Sequence, residues 1–154
     1  MRSLLNKIHR DLEGVAALEF ALFLPLLLLL TVGLLEVGRA YYQAQALDKG
    51  IRAGALYAAY MPEPFSAATK TAVENLVRTG NPAGSGAYLV SGFADSAAKV
   101  ELTSLSYDLG GTPVPVVRVA AEVPFDPLLP GMKTVFDASA FKIRLSHEQA
   151  YIGP

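Results

Sequence analysis

From Phe20 to Leu35 the chain reads FALFLPLLLLLTVGLL without a charged residue, and counting back to Val15 gives a 21-residue apolar stretch interrupted only by Glu19. Wound as a helix at about 1.5 Å per residue it would reach about 31 Å, close to the thickness of a bilayer core. The pattern predicts a membrane-spanning helix. Polar positions return with Glu36 and Arg39, and residues 39–60, RAYYQAQALDKGIRAGALYAAY, are rich in alanine and free of proline. The helix is therefore expected to continue beyond the membrane, to roughly 45 residues in all. Met61-Pro62-Glu63-Pro64 should end it, because two prolines in three residues cannot continue a helix.

The periodicity then changes twice. In FSAATKTAVENLVRTG (65–80), Phe65, Ala68, Ala72, Val73, Leu76 and Val77 recur at helical spacing, Glu74 and Arg78 form an i,i+4 pair, Ser66 is a candidate N-cap and Gly80 a stop. After a loop by composition, NPAGSGAYLVSG (81–92), the period falls to two. Residues 98–108 and 114–125 flank Gly110-Gly111 and read as a hairpin with a loop of several residues. In the second strand Val117, Val119, Ala121, Val123 and Phe125 share one face, with Arg118 and Glu122 on the other. A third strand, ASAFKIRLSHEQA (138–150), puts Phe141, Ile143 and Leu145 one way and Lys142, Arg144 and Ser146 the other. The intervening PFDPLLPGMKTVFD (124–137) is a long, partly apolar loop, expected to pack over the sheet edge. The fold class predicted is α+β: a long N-terminal helix, transmembrane in its first half, then an amphipathic helix on a small antiparallel sheet of about three strands. The expected division is 1–14, 15–60 and 61–154.

With 154 residues, one span and one small domain account for the whole chain. An apolar composition, 52% hydrophobic with a mean hydropathy of +0.34, argues against disorder. A net charge of -1 offers nothing to a nucleic acid, and zero cysteines exclude disulfides, thiolate metal sites and thiol nucleophiles. His9 and His147 have no partner at metal-ligand spacing, and G-x-S-x-G, a phosphate loop and H-E-x-x-H do not occur. Asp126 and Asp137 flank the proline-rich loop, but two carboxylates fall far short of a calcium shell. The chain is expected to be no enzyme, with no cofactor, metal site or small-molecule substrate.

The polar start invites comparison with a secretory signal peptide, for which Ala44-Gln45-Ala46 would be the cleavage site. Against that, the head mixes Arg2, Lys7 and Arg10 with Asp11 and Glu13, and Glu36, Arg39, Tyr41 and Tyr42 separate the apolar run from the small residues. Lysine and arginine counts do not decide orientation, although the N-terminal basic residues fit a cytoplasmic start and Tyr41 and Tyr42 an aromatic anchor. Pro25 deletes one helical hydrogen bond within the span. Gly50 and Gly54 form a small-xxx-small face for another helix or for the chain's own sheet.

One feature resists this description: Glu19, an acid inside the apolar run, where a carboxylate costs a few kcal/mol. Gly14 followed by VAALEF, then ALFLPLLLLLTVGLLEVGRAYY, resembles the N-terminus of TadE-like proteins, pilin-like components of tight-adherence (Flp-type) pilus systems. The resemblance implies a hydrophilic leader, residues 1–14, removed by a prepilin peptidase between Gly14 and Val15. Glu19 would then be the fifth residue of the mature chain, followed by Phe20. The new ammonium at Val15 could pair with Glu19 of its own or a neighbouring chain; the plainer alternative is a side chain snorkelling to the interface.

The resemblance further implies a single-pass protein of the bacterial inner membrane with its N-terminus cytoplasmic and its C-terminal domain outside, or in the extracellular pilus. Its role would be that of a minor subunit or assembly factor, serving surface attachment and biofilm formation. The implied partners are the membrane, the peptidase, other TadE-like and TadF-like subunits and the pilus assembly machinery, with helix packing through Pro25, Gly50 and Gly54. A different class stands beside it, a single-span envelope binding module or secretion-system accessory whose helix is only an anchor.

Overall fold

The computed structural model describes residues 2–127 and 141–153, with side chains described from Gly14 onward. The element order is α1 (Arg2–Ala59), α2 (Ala67–Thr79), a short 3-10 helix (Ser91–Ala94), β1 (Lys99–Leu109), β2 (Thr112–Pro124) and β3 (Lys142–Ala150). It is an α+β fold, with a three-stranded antiparallel sheet in the order β1-β2-β3. By compactness the chain divides into two units, Met1–Gly38 and Arg39–Pro154.

In the first unit α1 has no core. Residues 15–30 are all exposed, among them Leu18, Leu22 and Leu29, each at least 70% exposed, and Pro25 is taken into the helix without ending it. Apart from the one bond that Pro25 deletes, a continuous helix satisfies its own backbone, which is what a lipid environment demands. Thr31 also returns its hydroxyl to the Leu27 carbonyl at 2.8 Å, meeting its one polar group locally. The helix from Gly14 to Ala59 is long and apolar enough to cross a membrane, with an 18-residue window of mean hydropathy 2.4.

The second unit is a conventional core. Leu47, Ile51, Ala55 and Ala58 of α1, Val73 and Val77 of α2, and Val117, Val119, Ala121 and Val123 of β2 form one buried cluster with Val90, Phe93 and Ile143. β2 is the central strand, so its inward residues are covered from both sides, and Val119 and Val123 are 0% exposed. α2 starts as expected: the Ser66 hydroxyl accepts from the Thr69 amide at 3.2 Å, while Thr69 Oγ1 donates to the Glu63 carbonyl at 2.9 Å and ties down the proline turn. It ends at Gly80, whose φ of 75° only glycine adopts cheaply. Its buried stripe is narrower than expected: Thr69, Val73 and Val77, with Ala68 exposed.

The hairpin is tighter than expected too. Its loop is Gly110-Gly111 alone, at φ 66° and 91°, and Leu109 pairs directly with Thr112. Two successive positive φ values make the two-residue turn whose twist matches the strands, and Asp108 Oδ1 accepts from the Gly111 amide to close it. Strand β3 follows the predicted alternation, with Ile143 inward and Arg144 outward. The chain end returns to α1, where the Ile152 and Gly153 amides both donate to the Ala59 carbonyl at 3.2 and 3.3 Å and so cap the helix terminus. Residues 128–137 of the proline-rich loop expected to cover the sheet edge, Asp137 among them, lie outside the described residues.

Candidate functional site

The predicted site residues are laid out along α1 and are not gathered into a pocket. Gly14, Val15, Glu19, Phe20 and Pro25 fall in its first unit, Gly50 and Gly54 in the second. The two sets meet different surroundings.

Gly14 is open. A Cβ placed on it would meet nothing within 4 Å, and it is not among the glycines with positive φ. A glycine inside a helix costs about 1 kcal/mol relative to alanine, and neither a close contact nor a special backbone angle requires it here. Val15 (56% exposed), Glu19 and Phe20 (60% exposed) are likewise free of packing. Val15 and Glu19 are four residues apart on one helical face, about 6 Å along the axis. Because helical side chains lean toward the N-terminus, the Glu19 carboxylate is directed back toward the first turn that cleavage at Gly14 would create. A negative charge there is also favoured by the exposed amides of a new helix start.

Gly50 and Gly54 are closed. A Cβ at Gly50 would come within 2.9 Å of the Val77 carbonyl oxygen, and one at Gly54 within 3.2 Å of both the Val73 and Val77 side chains. The small-xxx-small face is real, and its partner is α2 of the same chain. Of the two destinations expected for this face, another helix or the chain's own sheet, the structure shows a helix of the same chain against it. The glycines of α1 left open among the described residues are Gly14, Gly33 and Gly38. Sequence reading passed over the last two because they do not recur at a four-residue spacing.

It also missed the buried polar positions Glu36 and Gln43, each 6% exposed. The signal was present in part, since both extend the stripe that runs on through Leu47 and Ile51. Polar residues carrying a core stripe are simply hard to credit from sequence.

The outward face of the sheet holds the remaining chemistry. Lys142 Nζ and Arg144 Nε contact the two oxygens of Glu122 at 2.5 and 2.7 Å. The two cations hold the Glu122 carboxyl at about 2, against an ordinary 4.5. Tyr107 donates its hydroxyl to Glu148 Oε2 at 2.7 Å, and that bond, with the carboxylate's charge, raises the phenol above 10.0. These are cross-strand pairs, visible only once the register places Glu122 opposite Arg144. Three or more acidic, histidine or cysteine side chains nowhere converge on a metal-sized site among the described residues. The His147 position is opposite Val119, within the sheet's inward row.

Against this geometry, the family comparison is decisive for one stretch. Residues 14–56 match the family described as TadE-like protein. That stretch is similar to TadE-like proteins. It begins at Gly14, runs through the apolar helix and its extension, and stops before α2. The match covers that stretch alone, and the rest of the chain lies outside it. No curated protein and no solved structure matches the chain.

Proposed function

We propose that the chain is a minor pilin-like subunit or assembly factor of a tight-adherence pilus, made with residues 1–14 as a leader and cut between Gly14 and Val15 by a prepilin peptidase. The observation that carries this reading is the TadE-like match starting at Gly14, a helical glycine with no packing or backbone reason to be glycine. The leader faces the cytoplasm and the unit from Arg39 onward lies outside the bacterial inner membrane or in the pilus. Other TadE-like and TadF-like subunits are its neighbours there.

In this scheme the apolar half of α1 does the assembling. Its side chains are exposed throughout residues 15–30, and Gly33 and Gly38 allow a second helix to approach closely. Glu19 neutralises the Val15 ammonium, which would otherwise enter the bilayer or filament unpaired.

Mass spectrometry of the mature N-terminus tests the proposal. A start at Val15 that disappears when the peptidase is deleted is expected. An intact Met1, or a start after Ala46, overturns it. Given a start at Val15, Glu19→Ala should lower incorporation into sheared pili while leaving membrane content unchanged, and normal incorporation would remove the pairing role.

A further inference from the structure

Among the described residues, strand β1 has an open edge. It is at one end of the sheet, it pairs with β2 one-to-one over eleven residues without a bulge, it contains no proline, and no described strand lies on its other side. Edges of this length are normally blunted by bulges, prolines or inward charges, because a row of unpaired amides and carbonyls recruits another strand.

The register says which groups are open. In a two-residue hairpin the closing pair, here Leu109 and Thr112, is a hydrogen-bonded pair, and antiparallel pairs alternate from there. Odd-numbered residues of β1 therefore bond to β2, while Val100, Leu102, Ser104, Ser106 and Asp108 direct their N–H and C=O groups away from it. β2 confirms the parity independently. Pro113 and Pro115, which have no N–H to give, are the partners of Asp108 and Ser106, and the Pro115 carbonyl accepts from Tyr151 on the opposite side.

A groove of about 340 Å³ runs beside this edge, lined by Val100, Glu101, Leu102 and Thr103 of β1 and by Lys70, Val73 and Glu74 of α2. Four consecutive residues of a strand include both of its faces, and a cavity touches both faces only at the strand's edge. The groove thus has a hydrogen-bonding wall, an apolar floor at Val73, Val100 and Leu102, and a helical wall.

We infer that this groove is a docking site for an extended, proline-free segment of a partner protein, which adds to β1 as a fourth strand between the sheet and α2. Main-chain bonding to the even-numbered residues holds the segment, and the period of two sorts its side chains. Those turned inward lie over Val100 and Leu102 and are apolar. Those turned outward lie beside Glu101 and Thr103, and the one beside Glu101 is basic, because Glu74 is already held by Arg78 at 2.8 Å while Glu101 has no ion pair among the described residues. The inference rests on β1 and α2 alone and stands whether or not the chain is a pilin.

Amide hydrogen exchange on the full chain in lipid nanodiscs tests it. The probe is a capped peptide in which valine alternates with threonine and lysine, and the control is the same peptide interrupted by proline. Without probe, the amides of Leu102, Ser104 and Ser106 should exchange much faster than those of Thr103 and Leu105. With probe, they should slow by about tenfold or more, and the control should do nothing. Ser104→Pro removes an outward N–H and no bond to β2, so it should abolish the slowing while the fold persists; Thr103→Pro should instead disrupt the hairpin. The inference is overturned if the even-numbered amides are already slow in discs holding one copy, because the chain then covers its own edge. It is overturned equally if they slow as copies per disc increase, which makes a second copy the occupant, or if millimolar probe leaves them unchanged.

Discussion

One helix passes through two regimes. Up to Gly38, α1 exposes leucine after leucine and its glycines face open space; from Arg39 the same helix contributes Leu47, Ile51, Ala55 and Ala58, all 0% exposed, to a sealed core. Small residues therefore mean opposite things in the two halves. Where the helix meets its own chain, as at Gly50 and Gly54, a small residue records a contact already made. Where it meets nothing of its own chain, as at Gly14 and Gly33, a small residue has no contact to record, and the proposed function assigns that open surface to the peptidase and to other subunits. Spacing alone does not separate these cases, and the occupied pair is the one with the better motif.

The largest effect that would sharpen this contrast is at Gly14. Gly14→Leu should block processing altogether, leaving a single band at the mass of the uncut chain on membranes that contain the peptidase, while the folded unit keeps its exchange protection. Correct processing of this variant would mean that Gly14 has no recognition role, and the open half would lose its clearest functional mark.

Next comes a matched pair of substitutions. Gly50→Leu places a side chain where even a Cβ lies 2.9 Å from a backbone oxygen, so it should cost about 2 to 3 kcal/mol or more of folding stability in denaturant titrations of the full chain in micelles. Gly33→Leu has open space around it and should leave that stability unchanged or slightly improved, while reducing recovery in sheared pili. Equal destabilisation by both would erase the distinction. A smaller test of the sealed core is Val119→Ala on the central strand, expected to cost about 2 kcal/mol through lost burial and a residual cavity. Leu29→Ala, at a position 72% exposed, should leave the folding midpoint where it was.

The elements themselves were readable because local chemistry set them. A charge-free run, two prolines at 62 and 64, Ser66 and Gly80 at the ends of α2, and period-two alternation in three strands each act within a few residues. Gly14, Glu19 and Phe20 differ in kind: they belong to one short stretch, residues 14–20, whose pattern needs no folding to be read, and the roles given to them are proposals. What could not be read depends on register or on long-range contact. The two-glycine turn is set by where Leu109 and Thr112 pair, the α1 cap comes from Ile152 and Gly153, and the Glu122 cluster exists only because β3 lies opposite β2. The destination of the Gly50 face is of the same kind, since the motif states that a helix can come close and not which helix.

The smallest effect tests whether the charges of the folded unit support it. Glu122 sits with Lys142 and Arg144, and its carboxyl is held at about 2, below the ordinary 4.5. A carboxyl lowered on folding adds stability that is fully present above its unfolded value and is lost as pH falls through its folded value. The wild type should therefore be more stable than Glu122→Gln at neutral pH, and the gap should narrow steadily from about pH 4.5 down to about pH 2. Raised salt should narrow it as well, because all three side chains reach solvent and their attraction is screened. Denaturant midpoints of the two proteins across that range give the readout. A gap that is independent of pH would mean that Glu122 acts through packing or neutral hydrogen bonds.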